Sequence, residues 1–261
     1  MNYILQSFID TKEYQKINNG NIPVTISGLV DVGKSSLISA LNIDKKSKVF
    51  VITYNEIEAQ NLIKNIKYYT DNVKYFPKRE ISIYDYDAES NDTDYERIEV
   101  LKGIYNDKNE IIVTTIEAVM QKIIQKEKLF ENVLNLHKES EINMENIKQK
   151  LVNLGYERKS LVENRGEFSV RGDIIDVCSN NKNGIRIELW GDEIDSIREF
   201  DLSSQRTIKM LDRATIFPAT ENVLEENIDR IIERLQKIDY KEKNINLNEI
   251  NEDIEIVKNG N

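Results

Sequence analysis

The segment Gly28-Leu-Val-Asp-Val-Gly33-Lys34-Ser35 has the residue types and spacing that point most directly to chemistry. It fits the phosphate-binding pattern G-x4-G-K-S, in which glycines let the backbone curl so that its N–H groups bind phosphate oxygens. A helix that begins there adds partial positive charge at its N-terminus. In such a loop Lys34 would reach the outer phosphates and Ser35 would hold Mg²⁺. Gly28, Gly33, Lys34 and Ser35 are therefore the candidate nucleotide-binding residues, with ATP and Mg²⁺ as the candidate cofactor.

Hydrolysis of a nucleotide also needs a second acidic residue at the end of a core strand, where it holds the metal. The expected strands end at Tyr54-Asn55 and Thr114-Thr115 without a carboxylate, and Asp176 lies inside a strand of a later region. We therefore predict no catalytic residue, no metal site and no required cofactor. Two interpretations of the pattern stay open: a nucleotide-binding loop, or a tight strand-to-helix turn that has lost phosphate binding.

The composition excludes several classes of protein. The single Cys178 excludes a disulfide scaffold and a multi-cysteine metal centre, and the single His137 leaves at most one imidazole base. A net charge of −10 disfavours a general binder of nucleic acid or anionic membranes. No apolar run approaches the roughly 18 residues of a spanning helix, and residues 1–12 lack the basic region of a secretory signal. We expect a cytoplasmic protein.

Strands and helices alternate in the first half of the chain. The first 20 residues predict one amphipathic helix, and helices are expected within 34–41, 56–69 and 92–105. The expected strands are residues 24–27, 48–54, 73–76 and 110–115. Strands joined by helices imply right-handed crossovers and a parallel sheet. The fold class is therefore α/β, with a P-loop-like parallel sheet and helices on both faces.

The pattern changes after about residue 125, where one helix (143–154) is followed by short strands. The expected strands are residues 168–177, 185–190, 193–200 and 206–211, and Trp190-Gly191-Asp192-Glu193 predicts a hairpin turn. A helix is expected again from Glu221. We predict a first α/β segment at 1–125, a smaller α+β domain of mainly antiparallel sheet inserted at 126–213, and a return to the first domain at 214–261. The tail fits a protein that continues beyond residue 261.

Arginines are concentrated in the second region. Seven of the chain's eleven lie there: Arg158, Arg165, Arg171, Arg186, Arg198, Arg206 and Arg213. Acids outnumber bases over the same residues, so this is not a DNA-binding footprint. Solvated pairs of arginine and acid explain most of the seven, and a protein-binding patch is open for a subset, because arginine is favoured at interfaces.

Tyrosines in residues 77–96 could stack on bases, but the stretch carries seven acids against two bases. It therefore predicts a solvated surface loop. His137 is expected at the end of a strand and Cys178 in or beside the core.

Four stretches together resemble a known family. They are Arg165–Val177 (RGEFSVRGDIIDV), Arg186–Asp201 (RIELWGDEIDSIREFD), and Ser204–Thr207 (SQRT) with Phe217–Glu221 (FPATE). These residues are similar to the N-terminal module of the bacterial transcription-repair coupling factor family, Mfd, which is itself similar to the first domains of the excision-repair protein UvrB. The short acidic loop at 77–96, where UvrB carries a long aromatic hairpin, favours the coupling factor.

The resemblance implies a non-catalytic, UvrB-like module that recruits UvrA to stalled RNA polymerase for transcription-coupled nucleotide excision repair. The full-length factor is an ATP-dependent DNA translocase, and its motor and its polymerase-binding domain lie outside this chain. The smaller domain is expected to bind UvrA, with Arg171 as the best candidate contact and Phe168 and Arg165 next. The phosphate loop is generally degenerate in this family, whereas all four of its key residues are present here.

Two alternatives stay open at this point. A nucleotide-binding ATPase built on the Gly28–Ser35 loop would bind ATP through Lys34. A DNA-binding fragment of the UvrB type would bind DNA with an affinity that falls as salt rises.

Overall fold

The computed structural model describes residues 3–20, 23–79, 92–106, 108–179, 183–221 and 223. The chain divides into two compact units, residues 1–122 and 123–261. The described residues combine helices with a parallel three-stranded sheet, a mainly antiparallel six-stranded sheet and an antiparallel pair. The α/β class is confirmed, while the P-loop-like fold and the insertion of one domain into the other stay predictions.

The first unit is a parallel sheet with helices around it. Its helices are α1 (Tyr3–Ile9), α2 (Lys12–Asn19), α3 (Asp31–Lys45), α4 (Glu56–Ile66), α5 (Asp92–Tyr105) and α6 (Ile116–Val119). Its strands are β1 (Val49–Thr53), β2 (Val73–Phe76) and β3 (Ile111–Thr115), in the order β1-β3-β2. The central strand β3 is buried along its whole length, and its core includes Ala59, Leu62 and Ile66 of α4.

Two sequence predictions in this unit are wrong. Residues 24–27 form no strand. An extended segment becomes a strand only when it pairs with another strand, and in the described residues β1 pairs with β3 and not with this segment. The N-terminal helix is two helices, because Thr11 starts a new one. The Thr11 hydroxyl accepts a hydrogen bond from the Tyr14 N–H and donates one to the Phe8 carbonyl.

The second unit is built on the six-stranded sheet. Its helices are α7 (Lys126–Glu131) and α8 (Met144–Asn153). Its strands are β4 (Leu134–His137), β5 (Glu157–Arg158), β6 (Glu167–Arg171), β7 (Ile174–Val177), β8 (Asn183–Trp190), β9 (Glu193–Asp201), β10 (Thr207–Leu211) and β11 (Arg213–Ile216). The sheet runs β10-β9-β8-β7-β6-β5, and β11 pairs with β4.

The predicted hairpin after Trp190 is confirmed, and Gly191 there has φ of +64°. The predicted strand at 168–177 is instead a second hairpin. Arg171 pairs with Ile174 across a two-residue turn in which Gly172 has φ of +59°. Each turn needs glycine, because L side chains rarely adopt a positive φ.

The described residues after β10 pack on the second unit. The Ala219 N–H donates to the Leu154 carbonyl at 2.8 Å, and the Tyr156 hydroxyl donates to the Phe217 carbonyl at 2.8 Å. The predicted return of residues 214–261 to the first domain stays a prediction. The helix expected from Glu221 and most of the acidic loop at 77–96 lie outside the described residues. No helix in the described ranges is long and apolar enough to cross a membrane.

The two faces of the six-stranded sheet differ in character. Ile175, Ile187 and Ile197 lie opposite one another on β7, β8 and β9 and are all fully buried. Asp176 and Arg186, one residue along, are paired on the other face. Because side chains alternate along a strand, the register places an apolar core on one face and a charged cluster on the other.

Gly184 lies where β8 passes under the ring of Phe200, and a Cβ at this position would overlap that ring. We expect Gly184→Ala to lower the free energy of unfolding by about 2 kcal/mol, because the buried ring has to move. Thermal unfolding measures the loss. Combining the change with Phe200→Leu should make the alanine less harmful, and an equal loss in both backgrounds would contradict the clash.

Candidate functional site

The Gly28–Ser35 segment forms the start of helix α3. Gly28 has φ of +75° and precedes the helix, but α3 already begins at Asp31, so Gly33, Lys34 and Ser35 are helical. The Lys34 N–H donates to the Val30 carbonyl at 3.0 Å. The buried Ser35 hydroxyl donates to the Asp31 carbonyl at 3.0 Å. Groups that would bind phosphate and Mg²⁺ in a phosphate loop therefore make bonds within the helix.

The Lys34 ammonium group is also engaged. Its Nζ lies 2.9 Å from Asp31 Oδ1 and 3.8 Å from Glu58 Oε1. The hydrogen bond and charge of Asp31 raise the pKa of Lys34, so it stays protonated. Beside it is a cavity of about 560 Å³ with a mainly apolar lining that includes Ile26, Leu37 and Ile52.

Charged side chains cluster on the polar face of the six-stranded sheet in the second unit. The side chain of Asp176 is fully buried on β7. Its Oδ2 accepts a hydrogen bond from Arg171 Nη2 at 2.7 Å. The Arg171 side chain, at the end of β6, is 48% exposed. One end of this guanidinium is thus anchored in the protein while the rest faces solvent.

The second partner of Asp176 is Arg186 on β8. Arg186 Nε lies 2.7 Å from Oδ1, and its Nη2 lies 2.9 Å from Oδ2. This is a bidentate pair, the strongest common geometry between arginine and a carboxylate. Its hydrogen bonds to Asp176 raise the pKa of Arg186. The guanidinium also lies over the ring of Phe200, with Cζ 4.6 Å from the ring centroid.

Gln205 closes the cluster from the loop between β9 and β10. Its Oε1 accepts from Arg186 Nη2 at 3.1 Å, and its Nε2 donates to the carbonyls of Val162 and Leu202. Gln205 has φ of +57°, a left-handed backbone conformation that residues other than glycine rarely adopt. Asp201 supports this loop by accepting hydrogen bonds from the hydroxyl and the backbone N–H of Ser204, which lower the pKa of Asp201.

The other two candidate contact residues occupy different environments. Phe168 lies on β6 and is fully buried, opposite Val177. Arg165 is half-buried in the turn before β6. Gly166 follows it with φ of +80°, and the Gly166 N–H donates to the Cys178 carbonyl at 2.7 Å. Of the three, Arg171 alone is exposed.

The remaining arginines of the region separate into paired and exposed ones. Arg198 forms an ion pair with Glu188 on the neighbouring strand. Arg158, Arg206 and Arg213 are exposed. His137 lies at the end of β4, as expected, and Cys178 is a buried free thiol. Ion pairing thus explains part of the arginine cluster, and Arg171 is the member that is both anchored and exposed.

Sequence reasoning missed the roles of Asp176 and Gln205. A signal for Asp176 was present, because a carboxylate within the apolar run Ile174–Val177 must find a positive partner if it is buried. No local signal pointed to Gln205, whose role depends on a loop that brings it to Arg186.

The comparisons with known proteins agree with this geometry. Residues 134–222 match the family described as the UvrB interaction domain. The match covers β4 to β11, and so it includes the whole charged cluster. Most of the described second unit is therefore similar to the UvrB interaction domain.

The chain as a whole is similar to the transcription-repair-coupling factor. It is 28% identical over 241 residues to that of Staphylococcus haemolyticus (strain JCSC1435), covering 90% of this chain and 20% of that protein. It is 28% identical over 228 residues to that of Bacillus subtilis (strain 168), covering 84% and 19%. These matches confirm the resemblance to the N-terminal module of the coupling factor. The chain spans about a fifth of the length of these relatives.

Glu167 holds the turn that carries Arg165. Its Oε2 accepts from the backbone N–H groups of Glu163 and Asn164 at 2.8 Å, and its Oε1 accepts from the Asn164 side chain at 3.0 Å. Burial raises the pKa of Glu167, but these hydrogen bonds outweigh burial and the net pKa is lowered. A carboxylate with a lowered pKa stabilises the fold at neutral pH.

We expect Glu167→Gln to lower the melting temperature at pH 7 and to matter less in acid. The stabilisation is present above the unfolded pKa of about 4.5 and is lost as the pH falls through the lower folded pKa. Melting curves of both proteins from pH 7 downward measure the gap. Glu163→Gln removes the same charge nearby and is the control. A gap that does not narrow in acid would contradict the assignment.

Proposed function

We propose that this chain is a non-catalytic, UvrB-like module that binds UvrA through the charged cluster of its second unit. In the intact protein it would recruit UvrA to stalled RNA polymerase for transcription-coupled nucleotide excision repair. The observation that carries the proposal is Arg171, an exposed guanidinium anchored on a buried carboxylate inside the interaction domain. RNA polymerase and DNA would bind regions outside this chain, and the cytoplasm is the proposed location.

The surface around Arg171 has the composition of a protein-binding site. Trp190 is 84% exposed at the end of β8. Leu189 before it faces the core, so alternation along β8 puts Trp190 on the same face as Glu188. Glu188 pairs with Ile174 on β7, and Ile174 pairs in turn with Arg171 on β6. Arginine and tryptophan are the residues most enriched at the energetic centres of interfaces. The chain's charge of −10 also favours a protein partner over nucleic acid.

The three sequence candidates then take different roles. Arg171 is the proposed contact. Phe168 is fully buried, so we propose that it packs in the core and stabilises β6 from that side. Arg165, half-buried in the turn before β6, lies at the other end of that strand from Arg171, and we propose it as a peripheral contact.

We expect Arg171→Ala to weaken UvrA binding by about 1–2 kcal/mol, roughly ten-fold or more, as loss of an anchoring arginine at an interface does. Calorimetric titration of the chain with UvrA measures the loss. Arg213→Ala removes an exposed arginine from β11, on a different sheet, and is the matched control. Equal affinities of the wild-type chain and Arg171→Ala would reject this contact.

We infer that the Gly28–Ser35 segment is a structural start of α3 and that no nucleotide is required. The engagement of Lys34 with Asp31 and Glu58, and of Ser35 with the Asp31 carbonyl, supports this. A nucleotide would have to break these bonds and unwind the first turn. The apolar cavity beside Lys34 is the feature that favours the alternative, a nucleotide-binding site.

Titration of the chain with ATP and Mg²⁺ separates the two. We expect no heat of binding at millimolar ATP and no phosphate release. Binding that Lys34→Ala abolishes would establish the nucleotide site instead. Arg79→Ala, a change of the same charge elsewhere in the first unit, is the control for non-specific attraction of ATP.

A further inference from the structure

We propose that Asp176 is a positioning residue for partner binding: together with Arg186 and Gln205 it holds the guanidinium of Arg171 ready for a carboxylate of the partner. The proposal rests on the proposed function, because it takes Arg171 as the contact. It adds three residues that act through Arg171 without touching the partner, and it names the chemistry that the site recognises.

The geometry around Asp176 leaves it no other role in binding. Its side chain is fully buried, and both of its oxygens accept hydrogen bonds from arginine. It therefore acts on a partner only through the group that reaches the surface, which is Arg171. The backbone reinforces the arrangement, since β6, β7 and β8 are adjacent strands in antiparallel register.

Arg186 and Gln205 fix the position of the carboxylate in turn. Arg186 binds Asp176 through two nitrogens and lies over the ring of the buried Phe200. Gln205 accepts from Arg186 and donates to two backbone carbonyls, so the loop after β9 is tied to the cluster. These bonds hold the Asp176 side chain in one rotamer, so the hydrogen bond that it accepts from Arg171 has a fixed orientation.

Positioning matters because a free arginine loses rotamer freedom when it binds. Ordering a long side chain at an interface costs conformational entropy, and this cost weakens binding. An Arg171 that is already held by Asp176 has lost part of this freedom before the partner arrives. Removal of the anchor should therefore weaken binding even though the exposed guanidinium remains.

The charge of the cluster indicates the group that it binds. Two guanidiniums share the single carboxylate of Asp176, so these three side chains together carry one net positive charge, and the exposed Asp173 in the adjacent turn is the nearest acid in sequence. The neighbouring Glu188 is paired with Arg198. The planar fork of arginine matches a carboxylate better than any other anion of a protein side chain. The site therefore fits an aspartate or glutamate of the partner.

A double-mutant cycle on UvrA binding tests the proposal. Asp176→Asn keeps the shape of the side chain and removes its charge. In the wild-type background we expect it to weaken binding at least about three-fold, because Arg171 is then no longer ordered before binding. In the Arg171→Ala background the same change should have no further effect, because the group on which Asp176 acts is gone. A merely structural role would weaken binding equally in both backgrounds.

The second variant guards against loss of folding in Asp176→Asn. Gln205→Asn tolerates the left-handed backbone but is too short to reach Arg186. It should show the same dependence on Arg171, and its melting temperature measures the stability lost with the hydrogen bonds of Gln205 to Val162 and Leu202. Arg206→Gln, an exposed neighbour of Gln205, is the control and should leave the affinity unchanged.

The outcomes separate this proposal from the proposed function. If Arg171→Ala weakens binding but Asp176→Asn and Gln205→Asn act equally in both backgrounds, the positioning role is wrong and UvrA binding stands. If the wild-type chain does not bind UvrA, or if Arg171→Ala has no effect, the contact itself is overturned. The recognised group is tested with UvrA variants in which one surface aspartate or glutamate is changed to its amide. If Arg171 binds a carboxylate, one of these variants should bind the wild-type chain and Arg171→Ala equally well. If every variant still binds Arg171→Ala more weakly, a carboxylate is not the recognised group.

Discussion

The buried carboxylate of Asp176 is the constraint on which the second unit depends. A charge that is removed from water is strongly unfavourable unless it is paired and hydrogen-bonded. Asp176 meets this condition with two arginines that come from the strands on either side of it. Satisfying one residue therefore fixes β6, β7 and β8 relative to one another, and through Gln205 it also fixes the loop after β9. A shift of any of these strands by one residue would leave the carboxylate unpaired.

The same register explains how one sheet carries both the core and the proposed recognition surface. The row of Ile175, Ile187 and Ile197 is buried, while the adjacent row of Asp176, Arg186 and Arg198 is charged. Because the period of a strand is two, each residue that joins the core commits its neighbour to the opposite face. The proposed recognition surface is therefore specified by the core residues as strongly as by its own residues. A change in the core that slipped the register would remove the site without altering a single charged residue.

Much of the fold was readable from the sequence, and the failures have a common cause. Strand β2, helix α5 and the hairpin at Trp190 lie where periodicity and turn residues placed them, because those signals are local. The segment at 24–27 has a strand pattern but no described partner strand, and pairing is not a local property. The Gly28–Ser35 pattern states which groups are present, but it does not state that the helix begins at Asp31 and engages them. For the site, the family motif selected Arg171 as a partner contact, and the structure places its side chain at the surface, whereas the burial of Phe168 depends on its register with Val177.

Within the described ranges, strand β1 of the first unit has a strand partner on one side only, which has a consequence for handling the protein. This strand pairs with β3 on one side, and its Phe50 and Ile52 side chains are each 54% exposed. An apolar strand with unpaired backbone groups is a template for the strand of another molecule. At high protein concentration copies of the chain would associate through this edge, which lies far in sequence from Arg171. A lysine placed at the outward-facing position of Phe50 would be the natural way to keep the module in solution without touching its recognition surface.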